Sequence, residues 1–193
     1  MNVHAPAPNR PATYPDVLDA PADMVAELLG GELYLHPRPA ARHALAASRL
    51  GVKLGGFDDD AEHGGWWSLD EPELHLGSAV TVPDLAAWCR HRMPVFPDTA
   101  FFDLAPDWIC EVLSPSTRSL ALGPKRDLYG EHGVRHLWFI DPDARILEAF
   151  ERRDGAWVLL ATLTDDAEVR IAPFEAVAFP LSALWPPSVG DAA

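Results

Sequence analysis

The apolar positions of this chain fall into short runs, and their spacing changes along the sequence. Met24, Val25, Leu28 and Leu29 recur at helical spacing within 21–30, which predicts a short helix stopped by Gly30. Glu32-Leu-Tyr-Leu-His36 predicts a strand directly after it, and Leu45, Leu50 and Leu54 among alanines predict a second helix over 40–54, ended by Gly55-Gly56. Three short extended runs follow at 66–69, 73–76 and 84–89, separated by proline and glycine as in hairpins or meanders. Asp107-Trp-Ile-Cys-Glu-Val-Leu-Ser114 has the length and composition of a strand buried on both faces. After the turn Ser114-Pro-Ser-Thr117, Gly123-Pro124 fits a helix start with proline in its first position; that helix runs to Gly133 with Leu128 and Tyr129 inward. His136-Leu-Trp-Phe-Ile140 predicts a further strand, and 145–150 with 157–163 a C-terminal hairpin.

Strand, helix and strand over 107–114, 124–132 and 136–140 make a βαβ-like unit, for which a mixed sheet with helices on its faces is the economical architecture. The expected fold class is therefore α/β: a mixed central sheet flanked by helices, with a C-terminal hairpin. Residues 16–185 are expected to form one domain. Residues 1–15 and 186–193, rich in proline and alanine without periodicity, are expected to be flexible tails. A chain of 193 residues, 48% apolar, is long enough to bury about 70% of its unfolded surface. It has no run approaching the roughly 18 apolar residues of a membrane span, and its first thirty residues hold no apolar core behind a basic start, so a cytoplasmic protein is expected. Cys89 and Cys110 sit among apolar residues without zinc-ligand spacing and read as buried free thiols. The seven tryptophans are spread along apolar runs, which favours core packing over base stacking.

Charge changes the picture. Fifteen basic against 29 acidic residues give a formal −14, a field that repels polyanions and weakens non-specific nucleic-acid binding. Part of the excess lies in Asp58-Asp59-Asp60-Ala61-Glu62, read as a solvated loop. Between Arg118 and Arg135 the balance reverses, with Arg118, Lys125, Arg126 and Arg135 against Asp127 and Glu131.

The basic residues flank the most informative side chain of the sequence, Glu111, a carboxylate inside an apolar run. An unpaired charge at such depth costs several kcal/mol unless a metal or a cation compensates it. Asp84, at the head of another apolar run, and Lys125 are the candidate partners. Two carboxylates on neighbouring strands can hold Mg²⁺ while leaving positions for water and a phosphate oxygen. A lysine beside them can orient a water nucleophile and counter charge on the phosphorane, the chemistry of phosphodiester hydrolysis. On residue chemistry alone the simpler reading is structural: Asp84 caps a strand and Glu111 pairs with Lys125 or Arg118.

Several stretches together resemble the Uma2 family, regarded as restriction-endonuclease-like nucleases: Val82-Pro-Asp-Leu85, Glu111-Val-Leu-Ser-Pro-Ser-Thr117, Lys125-Arg-Asp-Leu-Tyr129 and Gly133-Val-Arg-His-Leu-Trp-Phe-Ile-Asp-Pro142. The likeness extends from about Ala26 to Leu160 and takes in Glu27-Leu-Leu-Gly-Gly-Glu32 and His43. It implies a PD-(D/E)xK nuclease fold, with Asp84 and Glu111 as metal-binding acids. The position two after Glu111 is Leu113 rather than lysine, and the family pattern points instead to Lys125 in the following helix. A rival mapping onto Pro106-Asp107 would put Asp107 and Glu111 about 13 Å apart on one strand, too far to share an ion. Glu27 reads either as a further carboxylate for the metal or as the solvent face of the first helix, and His43 as a packed histidine or one near the phosphate. Tyr129, one turn after Lys125, is expected to pack against it. Glu71, Glu73 and His75 read as a solvent-facing edge.

The resulting expectation is a Mg²⁺- or Mn²⁺-dependent endonuclease acting on DNA, with Asp84, Glu111 and Lys125 catalytic and Asp84 and Glu111 holding the metal. A double-strand cut needs two sites, so a homodimer is expected. The competing expectation is a non-catalytic homodimeric interaction module that keeps the nuclease fold and uses its acidic surface for a protein partner.

Overall fold

A computed structural model describes residues 3–4, 10–58 and 65–187. Residues 59–62 of the acidic run, and the outer parts of both expected tails, lie outside the described residues.

The first expected helix is a strand. Met24–Leu29 (β2) pairs antiparallel with Glu32–Pro37 (β3) in a register that sets Leu29 against Glu32. That leaves Gly30-Gly31 as a two-residue loop with φ of +60° and +79°, a turn geometry that twists with the strands it joins. The glycines close a hairpin rather than stop a helix, and cross-strand pairing overrides the helix propensity of Met, Ala, Glu and Leu. Val3–His4 (β1) pairs with the far side of β3. Ala79–Thr81 (β6) meets β2 at Leu28↔Val80 and pairs with Leu74–Leu76 (β5), completing an antiparallel sheet in the order β1-β3-β2-β6-β5. The stretch expected as an N-terminal tail also carries structure. Ala12 is buried, Tyr14–Leu18 forms a short helix (α1), and the Asp16 carboxylate accepts from the Thr13 amide at 2.7 Å.

The second sheet is the mixed central one. Trp66–Asp70 (β4), Leu85–Cys89 (β7), Trp108–Val112 (β8), His136–Asp141 (β9), Ile146–Arg153 (β10) and Ala156–Thr164 (β11) stand in the order β11-β10-β9-β8-β7-β4. All its neighbours are antiparallel except β8 and β9, which run parallel. Their helical connection differs from expectation. It begins at Arg118–Leu120 (α3), widens into one π-helical turn over Ala121–Lys125 and continues as Arg126–Glu131 (α4). Pro124 is inside the wide turn rather than at a helix start; proline lacks the N–H and crowds the preceding turn, which a π turn accommodates. The C-terminal hairpin β10–β11 is followed by the pair Glu168–Val169 (β12) and Phe179–Pro180 (β13).

Strand alternation divides the core. Trp108, Cys110 and Val112 face Ala41–Leu54 (α2) and the C-terminal segment, where Leu50, Leu54, Trp138, Phe174 and Leu184 are buried with them. The rings of Trp108 and Trp138 meet edge to face at 5.4 Å. Ile109 and Leu113 face the other way, against Tyr129, Val134, Leu137 and Phe139. Glu111 lies between these two and shares their face. Of the tryptophans, Trp88, Trp108 and Trp138 are fully buried, Trp66 and Trp185 nearly so, and Trp67 and Trp157 are half-buried. Cys110 is buried and Cys89 half-buried, both as free thiols. No helix among the described residues is long and apolar enough to cross a membrane.

Candidate active site

Asp84 and Glu111 meet because of register. β7 pairs with β8 through Leu85↔Cys110 and Ala86↔Ile109, so one step further Asp84 falls opposite Glu111, on the same face of the sheet. The two acids line one cleft of about 330 Å³ together with Glu27, His43 and Lys125. Asp84 is fixed through both oxygens: His43 Nε2 lies 2.5 Å from Oδ1, and the Val112 amide donates to Oδ2 at 2.7 Å. The backbone before β7 is held as well, since the Glu71 amide donates to the Asp84 carbonyl at 3.0 Å. Glu71 adopts φ +48° and lines the cleft with its side chain exposed, as a solvent-facing residue would be. Glu73 and His75 lie at the edge strand β5 of the antiparallel sheet, half-buried rather than fully solvent-facing. They bond each other at 2.7 Å, and Tyr14 donates to Glu73 at 2.8 Å.

Lys125 ties the two sheets together. Its Nζ lies 2.8 Å from Glu111 Oε1, 2.8 Å from Glu27 Oε1 and 3.3 Å from the Val82 carbonyl. All three residues are buried, with Lys125 and Glu27 each 3% exposed and Glu111 5%. Three acceptors take up the three protons of an ammonium. Tyr129 bonds Glu111 rather than only packing on Lys125: its hydroxyl donates to Glu111 Oε1 at 2.5 Å. Glu111 Oε2 has no hydrogen bond among the described residues and faces the cleft.

Glu27 is not on a helix face at all. It sits on β2 and turns inward, where its Oε1 accepts from Thr81 Oγ1 at 2.6 Å and from the Val82 amide at 2.9 Å. His36 Nε2 lies 3.3 Å from its Oε2. His36, which lines the cleft, and Thr81, buried behind it against Glu27, are residues that the sequence reading missed. Their signal is pairing across strands, visible only once 24–29 is taken as a strand: Thr81 then falls opposite Glu27, one step beyond Leu28↔Val80.

These partners set the charges apart. Burial pushes Glu27 up, but the Lys125 charge, the nearby His36 ring and the bonds from Lys125 and Thr81 outweigh it and hold its carboxyl at about 2. Glu111 goes the other way: burial raises it, Lys125 only partly offsets this, Asp84 and Glu27 add to it, and it reaches about 7. Burial works against protonation of His43, but its bond to Asp84 and the charges of Asp84, Glu111 and Glu71 raise it above its ordinary value. The cleft thus gathers more carboxylate than its lysine neutralises, and the surplus rests on Glu111.

No curated protein matches the chain. Among solved structures, one described as a "putative nuclease belonging to DUF820 from Anabaena variabilis ATCC 29413" has a TM-score of 0.73 at 22% identity, covering 90% of this chain and 97% of that one. At that identity the likeness speaks of fold, and it shows the α/β, restriction-endonuclease-like architecture. Residues 11–182 match the Uma2 family, whose description reads "Putative restriction endonuclease", and the chain belongs to that family.

Proposed function

We propose that this protein is a Mg²⁺- or Mn²⁺-dependent endonuclease that hydrolyses DNA phosphodiester bonds at the Asp84–Glu111 cleft. The observation that carries this reading is the placement of two acids opposite each other on one sheet face, with Lys125 Nζ 2.8 Å from Glu111. Among the described residues no three His, Cys, Asp or Glu side chains are grouped to ligate one ion, which does not fit a closed zinc cage. Two carboxylates with water completing the shell do fit a hard cation such as Mg²⁺. Glu111, raised to about 7 with its Oε2 free, is a carboxylate that a cation would return to its ionised form.

Asp84 and Glu111 would hold the ion. When bound, it lowers the pKa of a coordinated water and offsets phosphate charge. The remaining work falls to the chain's own side chains. His43 and the Val112 amide aim Asp84, while Lys125 and Tyr129 fix Glu111 through Oε1 and leave Oε2 to the cleft. With its protons engaged, Lys125 acts as a fixed positive charge against the phosphorane. A homodimer would supply the second site for a double-strand cut.

The test is incubation of the protein with mixed DNA and RNA substrates and Mg²⁺ or Mn²⁺. Metal-dependent DNA cleavage that is lost in Glu111→Gln supports the reading, and cleavage unaffected by that change overturns it.

Two observations favour a second reading, a non-catalytic homodimeric module that keeps the fold and binds a protein partner. All three Lys125 protons are satisfied inside the protein, and the chain carries a formal −14. Absence of cleavage on every substrate, with the metal bound, would select it.

A further inference from the structure

A second concavity lies at the opposite end of the same strands. Asp107, Arg135 and His136, at the starts of β8 and β9, line a cavity of about 790 Å³ together with Arg92, Arg153 and Arg170. Glu111 is four residues further along β8, about 13 Å away at the rise of a strand, so the two sites are separate.

Its charge is unlike that of the rest of the chain. Four guanidiniums line it against the carboxylates of Asp107, Glu151 and Glu175, whereas the whole chain has 15 basic against 29 acidic residues. Glu151 serves two of the arginines, Arg135 at 3.2 Å and Arg153 at 2.6 Å. Arg92 uses one bond, to Asp107 at 2.7 Å, and Arg170 reaches Glu168 at 3.3 Å and the Glu175 carbonyl at 3.2 Å. A guanidinium has five N–H donors, and these contacts use one or two on each residue.

The second observation is His136. It is 6% exposed, lines the cavity, and neither ring nitrogen has a hydrogen-bond partner among the described residues; Nδ1 is sealed from solvent, which leaves Nε2 as the ring atom a ligand in the cavity can meet. Buried polar atoms are rarely left unpaired without a reason. Leu160, Ile171 and Pro173 supply an apolar wall beside it, so charged groups converge on one side of a concavity closed by apolar residues on the other, a setting for a small charged ligand.

We propose that this cavity binds a small phosphate-bearing anion, held by spare guanidinium donors of Arg92, Arg135, Arg153 and Arg170 and by a hydrogen bond to the His136 ring. Forked guanidinium donors match phosphate oxygens in geometry as well as charge. The site is a concavity closed on one side by apolar residues, which suits a compact ligand better than a duplex backbone.

The experiment is calorimetric titration of the full chain with inorganic pyrophosphate in metal-free buffer, with the His136 ring nitrogens followed by NMR. Saturable binding is expected, with a shift of the His136 resonances. Arg135→Gln and Arg170→Gln should each weaken it by about tenfold, the loss of one charge-assisted contact. Both residues are mostly exposed, with side chains 67% and 55% accessible, so the fold does not depend on them. Arg118→Gln, outside the cavity, should bind as wild type, and Glu111→Gln likewise, which separates this outcome from that of the nuclease reading. The proposal fails if no saturable binding occurs at millimolar pyrophosphate, if Arg135→Gln and Arg170→Gln bind unchanged, or if Glu111→Gln abolishes binding. It also fails if a short DNA duplex displaces the pyrophosphate, which would make the surface a backbone contact instead.

Discussion

Lys125 Nζ stands 2.8 Å from Glu27 Oε1, a contact that joins the helical connection of the central sheet to the neighbouring antiparallel sheet. Because Glu111 shares the same ammonium at 2.8 Å, one buried cation neutralises parts of both sheets at once. Removing it strands two buried carboxylates. Lys125→Met is therefore expected to destabilise the protein by about 3–5 kcal/mol, the usual cost of breaking a buried pair from one side. Adding Glu27→Gln and Glu111→Gln to that variant should restore much of the loss. Urea unfolding of the single and triple variants checks this, and a loss that the triple variant does not recover would show that Lys125 matters mainly through packing.

The pH dependence of the metal-free protein follows from Glu111. Its carboxyl is raised from 4.5 to about 7, so the folded state keeps a proton that the unfolded chain releases. The stability tied to that proton is fully present below 4.5 and is lost as pH rises through about 7. Unfolding free energy in chelator should thus decline across this window, and Glu111→Gln should flatten the decline. A wild-type curve already flat over the window would contradict the surplus charge in the cleft.

The Gly30-Gly31 hairpin gives a test of the fold itself. Both glycines have positive φ, so alanine at either position costs roughly 1–2 kcal/mol. At Gly31 an added Cβ would also lie 3.2 Å from Pro11 Cβ, while at Gly30 it meets open space. Gly31→Ala should therefore lower the melting temperature more than Gly30→Ala. The reverse order would place the hairpin or the 10–13 segment elsewhere.

Much of this arrangement was legible because its chemistry is local. Glu111 inside an apolar run, Asp84 heading another and a single lysine beyond them were visible as anomalies of residue type, and strand alternation then decides which face each takes. Glu27 was legible only as one of two readings, because Met24–Leu29 carries helix-forming residues at spacing that suits a helix, and only pairing with Glu32–Pro37 makes it a strand. Once it is a strand, Glu27 turns from an open surface into the cleft and meets Lys125. Pro124 misled for a related reason: Gly-Pro marks helix starts in general, but here the chain is already helical from Arg118, and the proline is taken up by a wide turn. His36 and Thr81 carry no motif at all, and their place follows from cross-strand register that no single segment specifies.

His43 offers a test of positioning as distinct from packing. Its Nε2 holds Asp84 Oδ1 at 2.5 Å, while the Val112 amide holds the other oxygen. His43→Ala should leave Asp84 half-anchored, lowering metal affinity and any cleavage rate by about ten- to a hundredfold, the range seen when a partner behind a metal ligand is removed. His43→Gln, which keeps a donor of similar reach, should recover part of the loss. Equal metal affinity in all three proteins, measured by calorimetry with Mn²⁺, would show that His43 is only a packed residue.

Mg²⁺ or Mn²⁺ should raise the melting temperature of the wild type by mass action, because the folded chain brings Asp84 and Glu111 together and the unfolded chain does not. Glu111→Gln should abolish that gain. Without metal, at pH values above about 7, the same variant should be as stable as wild type or more so, since burial and the charges of Asp84 and Glu27 oppose ionised Glu111 there. The opposing effect is the Lys125 contact: if the pair with Lys125 outweighs the repulsion, the metal-free variant will instead be strongly destabilised. Thermal unfolding of both proteins with and without millimolar metal separates these outcomes. Equal metal shifts in the two would place the ion away from Glu111. A destabilised metal-free variant would make Glu111 a structural ion-pair residue first, with any metal coming to a carboxylate that Lys125 already satisfies.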